Sequence, residues 1–164
     1  HSVKQELEAY LDKGDLILEG GSSEVGVESA IIDCTGPNPA ILRPGAITAE
    51  DIELCTGIVV AEPAQASIRV SGSHKQHYSP KAKVVVGGIA NAGEGLIALS
   101  ENETPPGVIR LAAPDSVEEY ARALYAALRE ADTQGLKLVR VMPPLGEGLA
   151  IAIRDRIQRS ASEG

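Results

Sequence analysis

Residues 115–142, DSVEEYARALYAALREADTQGLKLVRVM, hold the pattern of a helix followed by a strand. Asp115 and Ser116 stand before Glu118 and Glu119 in a capping-box arrangement: a hydroxyl can accept from a free first-turn amide, and acidic side chains suit the positive end of the helix dipole. Val117, Tyr120, Ala121, Leu124, Leu128 and Ala131 then fall on one helical stripe. Gly135 is placed to stop the helix. Residues 136–142 read as a strand, and Leu149, Ile153 and Ile157 begin a last helix after the turn 143–148. Upstream, residues 84–86, 96–99 and 108–111 read as strands between Gly- and Pro-rich turns. Strands and helices in this order predict a small Rossmann-like α/β domain over residues 83–164.

The first sixty residues carry a different set of signals. Residues 2–12 suit a helix, 15–19 a short buried strand ending at Gly20 and Gly21, and 25–33 a second strand. Alternation in that second strand would place Val25, Val27, Ser29 and Ile31 on one face. After a turn, residues 40–42 form a strand and Thr48 caps a helix that ends near Gly57, with Ile47 and Ile52 spaced as a hydrophobic staple. Residues 61–82 lack a sustained hydrophobic period and include Pro63, Gly72 and Pro80, so they read as an extended linker between an α/β portion at 1–60 and the domain at 83–164.

Composition narrows the function. Hydrophobic residues are 43% and charged residues 23%, ordinary values for a globular chain of 164 residues. Aromatics are only 2%, with four Tyr and neither Phe nor Trp, so the core must be aliphatic and stacking platforms for single-stranded nucleic acid are missing. A net charge of -8 opposes a broad phosphate-binding surface, and no direct nucleic-acid binding is expected. Charge is uneven, however. Residues 1–62 carry 3 basic and 12 acidic side chains, residues 63–93 carry 4 basic and none acidic, and residues 94–164 carry 8 basic and 11 acidic. Cys34 and Cys55 cannot make a disulfide framework and read as reduced thiols of a cytoplasmic protein. No apolar run reaches the roughly 18 residues that span a bilayer. The chain opens on His1 and enters an amphipathic run almost at once, as though partway through a domain.

Three groups could carry chemistry. Ser29, in Gly26-Val27-Glu28-Ser29, precedes Arg43 by fourteen positions. A guanidinium offers a rigid fork of donors for phosphate or carboxylate, and a hydroxyl can orient an amino acid without adding charge. Equally, a strand Ser can bond nearby backbone and an Arg can pair with a carboxylate. The cationic stretch from Arg69 to Lys81, with Ser71, Ser73 and Tyr78, favours an anion, against the plainer reading of a solvated linker. His74 and His77 lack a nearby carboxylate or thiol and are not read as metal ligands. Gly146-Glu147-Gly148 occupies the place of a phosphate loop, but lacks the third glycine and reads better as a tight turn. Arg154, Asp155, Arg156 and Arg159 read as a solvated charged face.

Several segments also stand in a fixed order: 15–21, Gly26-Val27-Glu28-Ser29 through Asp33, and Leu42-Arg43-Pro44-Gly45-Ala46-Ile47-Thr48. Arg69-Val70-Ser71-Gly72-Ser73, His77-Tyr78-Ser79-Pro80 and Gly146-Glu147-Gly148-Leu149 running into Ala152-Ile153-Arg154-Asp155-Arg156 complete the set. In these segments the chain resembles the C-terminal portion of the two-domain threonylcarbamoyl-AMP synthases, whose N-terminal domain is called YrdC-like. The resemblance implies that residues 1–60 end a YrdC-like α/β catalytic domain, 61–82 form the linker and 83–164 the C-terminal domain.

It further implies a nucleotidyltransferase that combines L-threonine, bicarbonate and ATP into threonylcarbamoyl-AMP and pyrophosphate, with Mg²⁺ accompanying the nucleotide. The product would serve threonylcarbamoyladenosine modification of tRNA, handed to a tRNA threonylcarbamoyl transferase complex. By position, Ser29 would contact L-threonine, and Arg43 and Tyr78 would contact ATP. No residue is assigned to catalysis itself and none to a metal. Where the family usually has Thr after this Ser, the chain has Ala30. Nothing here matches the family's N-terminal basic residues, so the chain by itself is expected to be inactive. The alternative is a non-catalytic gating or partner-docking module, and the two separate on whether Ser29, Arg43 and Tyr78 converge on one pocket.

Overall fold

The computed structural model describes residues 4, 7–21, 23–61 and 80–161. Two sheets organise them. Strands β1 (Ile31–Asp33) and β2 (Ala40–Arg43) form an antiparallel pair, followed by helix α1 (Ala49–Thr56). Strands β3 (Lys83–Val86), β4 (Gly95–Ile97), β5 (Ile109–Ala112) and β6 (Leu138–Val141) form a parallel sheet in the order β3-β6-β4-β5, with helices α2 (Val117–Thr133) and α3 (Leu149–Ala161). Helix α2 carries the chain back from the β5 edge, which lets β6 insert between β3 and β4. The predicted α/β class is the observed one.

Strand alternation divides the core. Ile97, Val84, Val139 and Val141 face α2 and α3, where Tyr120, Leu124, Leu128, Ile153 and Ile157 complete one aliphatic cluster. Their neighbours Leu96 and Ala98 point the other way, onto Ala90, Val108 and Met142. Tyr120 is the polar exception in the main cluster. Its hydroxyl donates to the Met142 carbonyl at 3.0 Å, so burial leaves no orphan group. Burial also pushes the Tyr120 pKa up, which keeps the phenol a donor.

The expected caps form at the starts of α1 and α2. The Ser116 hydroxyl accepts from the Glu119 amide at 3.1 Å, and Thr48 and Asp51 make a reciprocal capping box. Helix α1 ends before Gly57 and α2 before the turn at Gly135, as expected.

The N-terminal expectations need correction. Residues 15–19 form no strand, and Leu16 and Leu18 are 86% and 90% exposed. A strand needs a hydrogen-bonded neighbour, and among the described residues none pairs with this segment. The strand expected over 25–33 shrinks to β1, because Gly26 turns the chain at φ 78 and residues 24–28 pack on α2 instead of on a sheet. In the predicted helix 2–12, Lys4 and Leu7 are helical and Glu8–Tyr10 is a 3-10 turn. Most of the expected linker lies outside the described residues; at its flanks Ala61 bridges to Ala40, and Pro80 and Ala82 are buried.

Candidate functional site

The β1–β2 pairing closes the fourteen-residue gap between Ser29 and Arg43. Ile31 lies opposite Arg43 in the ladder, so Ser29, two residues before β1, sits beside the end of β2. Arg43 donates from Nε to the Ser29 carbonyl at 3.0 Å and from a terminal nitrogen to Ser29 Oγ at 3.3 Å. Only 9% of Arg43 is exposed, so this fork is largely withdrawn from water and its charge-assisted bonds are strengthened.

Gly45 makes that approach possible. A Cβ there would stand 2.2 Å from the Ala30 amide nitrogen and 2.6 Å from the Ser29 carbonyl carbon, which no side chain tolerates. The Pro44–Gly45 turn therefore lies directly on the Ser29–Ala30 backbone. Beyond it, a cavity of about 260 Å³ is lined by Pro44, Gly45, Thr48 and Glu50 on one side and by Gly148 and Ile151 on the other. The glycine turn before α3 thus acts as a wall of this cavity. Its glycines take φ 110 and 62, in keeping with the expected tight turn.

A polar cluster absent from the sequence expectations lies just behind Ser29. Glu28 Oε2 accepts from the Tyr125 hydroxyl at 3.2 Å and stands 2.7 Å from Arg156 Nε. Arg156 is 1% exposed, and Asp155 Oδ2 lies 3.6 Å from its Nη1. None of the three guanidinium nitrogens makes an aligned hydrogen bond, so the Glu28 contact is a close ion pair rather than a directed bond. Burial, followed by the Glu28 charge, pushes the Tyr125 pKa up. Tyr125 stays protonated and can donate.

This overturns the expected solvated face at residues 154–159. Arg154 donates to the Pro144 carbonyl, Arg159 forks onto Asp155 at 2.8 and 3.0 Å, and Arg156 is interior. The signal was present in the sequence: Arg156 follows Leu149 by seven residues and Ile153 by three, so it shares their buried helical stripe. Further contacts dock the segment 24–28 on α2 and the core. Arg122 donates to the Glu24 carbonyl at 3.3 Å, Val27 packs on the main core, and a Cβ on Gly26 would stand 2.5 Å from the Ala121 carbonyl oxygen.

Of the sequence-predicted residues, Ser29 and Arg43 come together, whereas Tyr78, with His74 and His77, lies outside the described residues. Among the described residues no group of three or more His, Cys, Asp or Glu is arranged to hold a metal ion. No helix among them is long and apolar enough to cross a membrane.

A family model described as "Threonylcarbamoyl-AMP synthase, C-terminal domain" matches residues 47–162. The chain is 31% identical over 174 residues to the threonylcarbamoyl-AMP synthase of Pyrococcus abyssi, covering 94% of this chain and 51% of that protein. It is 29% identical to the enzyme of that name from Schizosaccharomyces pombe, over 90% of this chain and 45% of the other. The structure is similar to P. abyssi Sua5 complexed with L-threonine, with a TM-score of 0.68 and 27% identity over 88% of this chain and 48% of that one. The chain spans about half the length of the curated relatives it matches.

Proposed function

Because this chain belongs to the threonylcarbamoyl-AMP synthase C-terminal domain family, we propose that it is the C-terminal portion of an L-threonylcarbamoyladenylate synthase that supplies tRNA modification in the cytoplasm. In this reading residues 1–60 end a YrdC-like catalytic domain, 61–82 link, and 83–164 form the small C-terminal domain. The observation that carries it is the meeting of Ser29, which is exposed, with the buried guanidinium of Arg43. It supports a site in which the hydroxyl orients L-threonine while the guanidinium fixes that hydroxyl and contributes positive charge toward ATP. Tyr78 carries its nucleotide role from the resemblance alone.

The chemistry this serves has two steps. The threonine amine attacks bicarbonate and water leaves, giving a carbamate; a carbamate oxygen then attacks the α-phosphorus of ATP and pyrophosphate departs. Both need close placement of reactants and positive charge near the phosphates more than they need a nucleophilic side chain. The described residues offer no metal cluster, so Mg²⁺ is assigned to no residue here and would arrive with the nucleotide. The adenylate would then pass to a tRNA threonylcarbamoyl transferase.

The test is reconstitution. A YrdC-like half joined ahead of this chain should form threonylcarbamoyl-AMP from L-threonine, bicarbonate and ATP, and this chain by itself should form none. Pyrophosphate release that does not depend on L-threonine would overturn the reading.

The second reading, a non-catalytic docking module, draws on a different observation. Leu16, Leu18, Leu54 and Val59 are all at least 66% exposed, and a cavity of about 560 Å³ between β1 and α1 is lined by Ile32, Pro37, Pro39, Ile47, Ile52 and Ile58. An exposed apolar cavity of this size supports an interface. If the joined protein binds ATP and forms product no better than the YrdC-like half alone, docking is the function that remains.

A further inference from the structure

We propose that Arg156 is a positioning residue for L-threonine, acting through Glu28 on Ser29; this rests on the synthase reading above. Arg156 belongs to α3 and never reaches Ser29 itself. Its guanidinium is 1% exposed and 2.7 Å from the carboxylate of Glu28, the residue before Ser29 in the chain. A charge held so far from water with no aligned hydrogen bond is costly, and the Glu28 carboxylate offsets that cost only while it stands at this distance.

The arrangement that depends on this distance is the path of residues 24–28. Four contacts hold that path to the C-terminal layer: the Glu24 carbonyl on Arg122, Gly26 against the α2 backbone, Val27 on the core, and Glu28 between Tyr125 and Arg156. From there the chain enters Ser29, which Arg43 grips from the other side at its carbonyl and hydroxyl. Ser29 is therefore located by two elements at once. Arg43 fixes it to the β1–β2 pair, and Arg156 fixes its neighbour to the C-terminal domain. The C-terminal domain thereby acquires a role in the reaction without touching a substrate: it sets where the threonine hydroxyl partner stands.

The experiment uses this chain joined to a YrdC-like half. Glu28→Gln should raise the L-threonine KM at least fivefold, more than it raises the ATP KM, and Arg156→Gln should do the same. Amide exchange at residues 27–31 should quicken at least tenfold in both while residues 139–141 stay as protected as before. Should Arg156→Gln fail to fold, Arg156→Lys, which keeps the charge, supplies the comparison. The double variant E28Q/R156M removes both charges, and it should recover thermal stability while the L-threonine KM stays raised. Recovery of the KM as well, or equal rises for L-threonine and ATP, would overturn the positioning role. If the unsubstituted joined protein makes no adenylate, it is the synthase reading that fails, and faster or unchanged exchange at residues 27–31 still decides whether Arg156 holds this segment.

Discussion

Arg43 holds Ser29 at two atoms, the main-chain carbonyl at 3.0 Å and the side-chain hydroxyl at 3.3 Å. The two residues therefore cannot be perturbed independently in both directions. Ser29→Ala removes one neutral partner and should weaken L-threonine use by about 1 kcal/mol with little effect on ATP. Arg43→Ala strips the carbonyl as well and removes a buried charge, so it should impair use of both substrates, by about 1.5–3 kcal/mol per charge-assisted bond lost. Substrate KM values in the chain joined to a YrdC-like half check this. An Arg43→Ala effect confined to ATP would show that its grip on Ser29 is incidental.

Gly45 offers a purely steric test. With a Cβ 2.2 Å from the Ala30 nitrogen, Gly45→Ala must push two backbone segments apart, and flexible side chains cannot absorb the clash. We expect a loss of at least about 1–3 kcal/mol in the N-terminal portion, the range for overpacking. Gly57→Ala is the comparison, since nothing lies within 4 Å of a Cβ there although its φ of 69 still disfavours a side chain. Denaturation followed by amide exchange at residues 29–43 should show the larger loss for Gly45.

The two portions should differ in stability when the chain stands by itself. Leu16, Leu18, Leu54 and Val59 are exposed, whereas residues 120–157 supply most of a continuous aliphatic core. Local opening is easiest where few apolar contacts must break. Residues 14–44 should exchange amide protons well before residues 107–157, and the chain should associate at rising concentration. Equal protection in a dilute monomer would contradict this.

Acid should loosen the junction of the two central strands, β4 and β6, in a defined way. Glu94 is held below the usual carboxylate range, first by the Asn91 backbone amide and then by Arg140, whose Nε lies 2.9 Å away. A depressed folded pKa means the contribution is complete above the unfolded value of about 4.3 and fades as pH falls through the folded value. Glu94→Gln should lower Tm at neutral pH and flatten its decline below about pH 4.3. A parallel acid limb in the variant would assign that decline to other carboxylates.

The features legible in the sequence are short-range ones. The caps at Ser116 and Thr48, the α2 stripe from Tyr120 to Ala131 and the strand periods of the parallel sheet are set by residues three or four apart, or by alternation within one strand. The family order of Gly26-Val27-Glu28-Ser29 and Leu42-Arg43-Pro44-Gly45 marks the candidate site for a similar reason, as each is a compact motif. What those motifs touch depends on residues far away in the chain. Glu28 and Tyr125 are 97 residues apart, and no local period relates them. The buried charge of Arg156 shows the same limit. Its place on the α3 stripe was visible, but the reason it is tolerated there is a carboxylate from the opposite end of the chain. Residues 15–19 fail as a strand for the converse reason: a β-strand is completed by its neighbour, and an apolar run without one among the described residues stays outside the sheets and exposed.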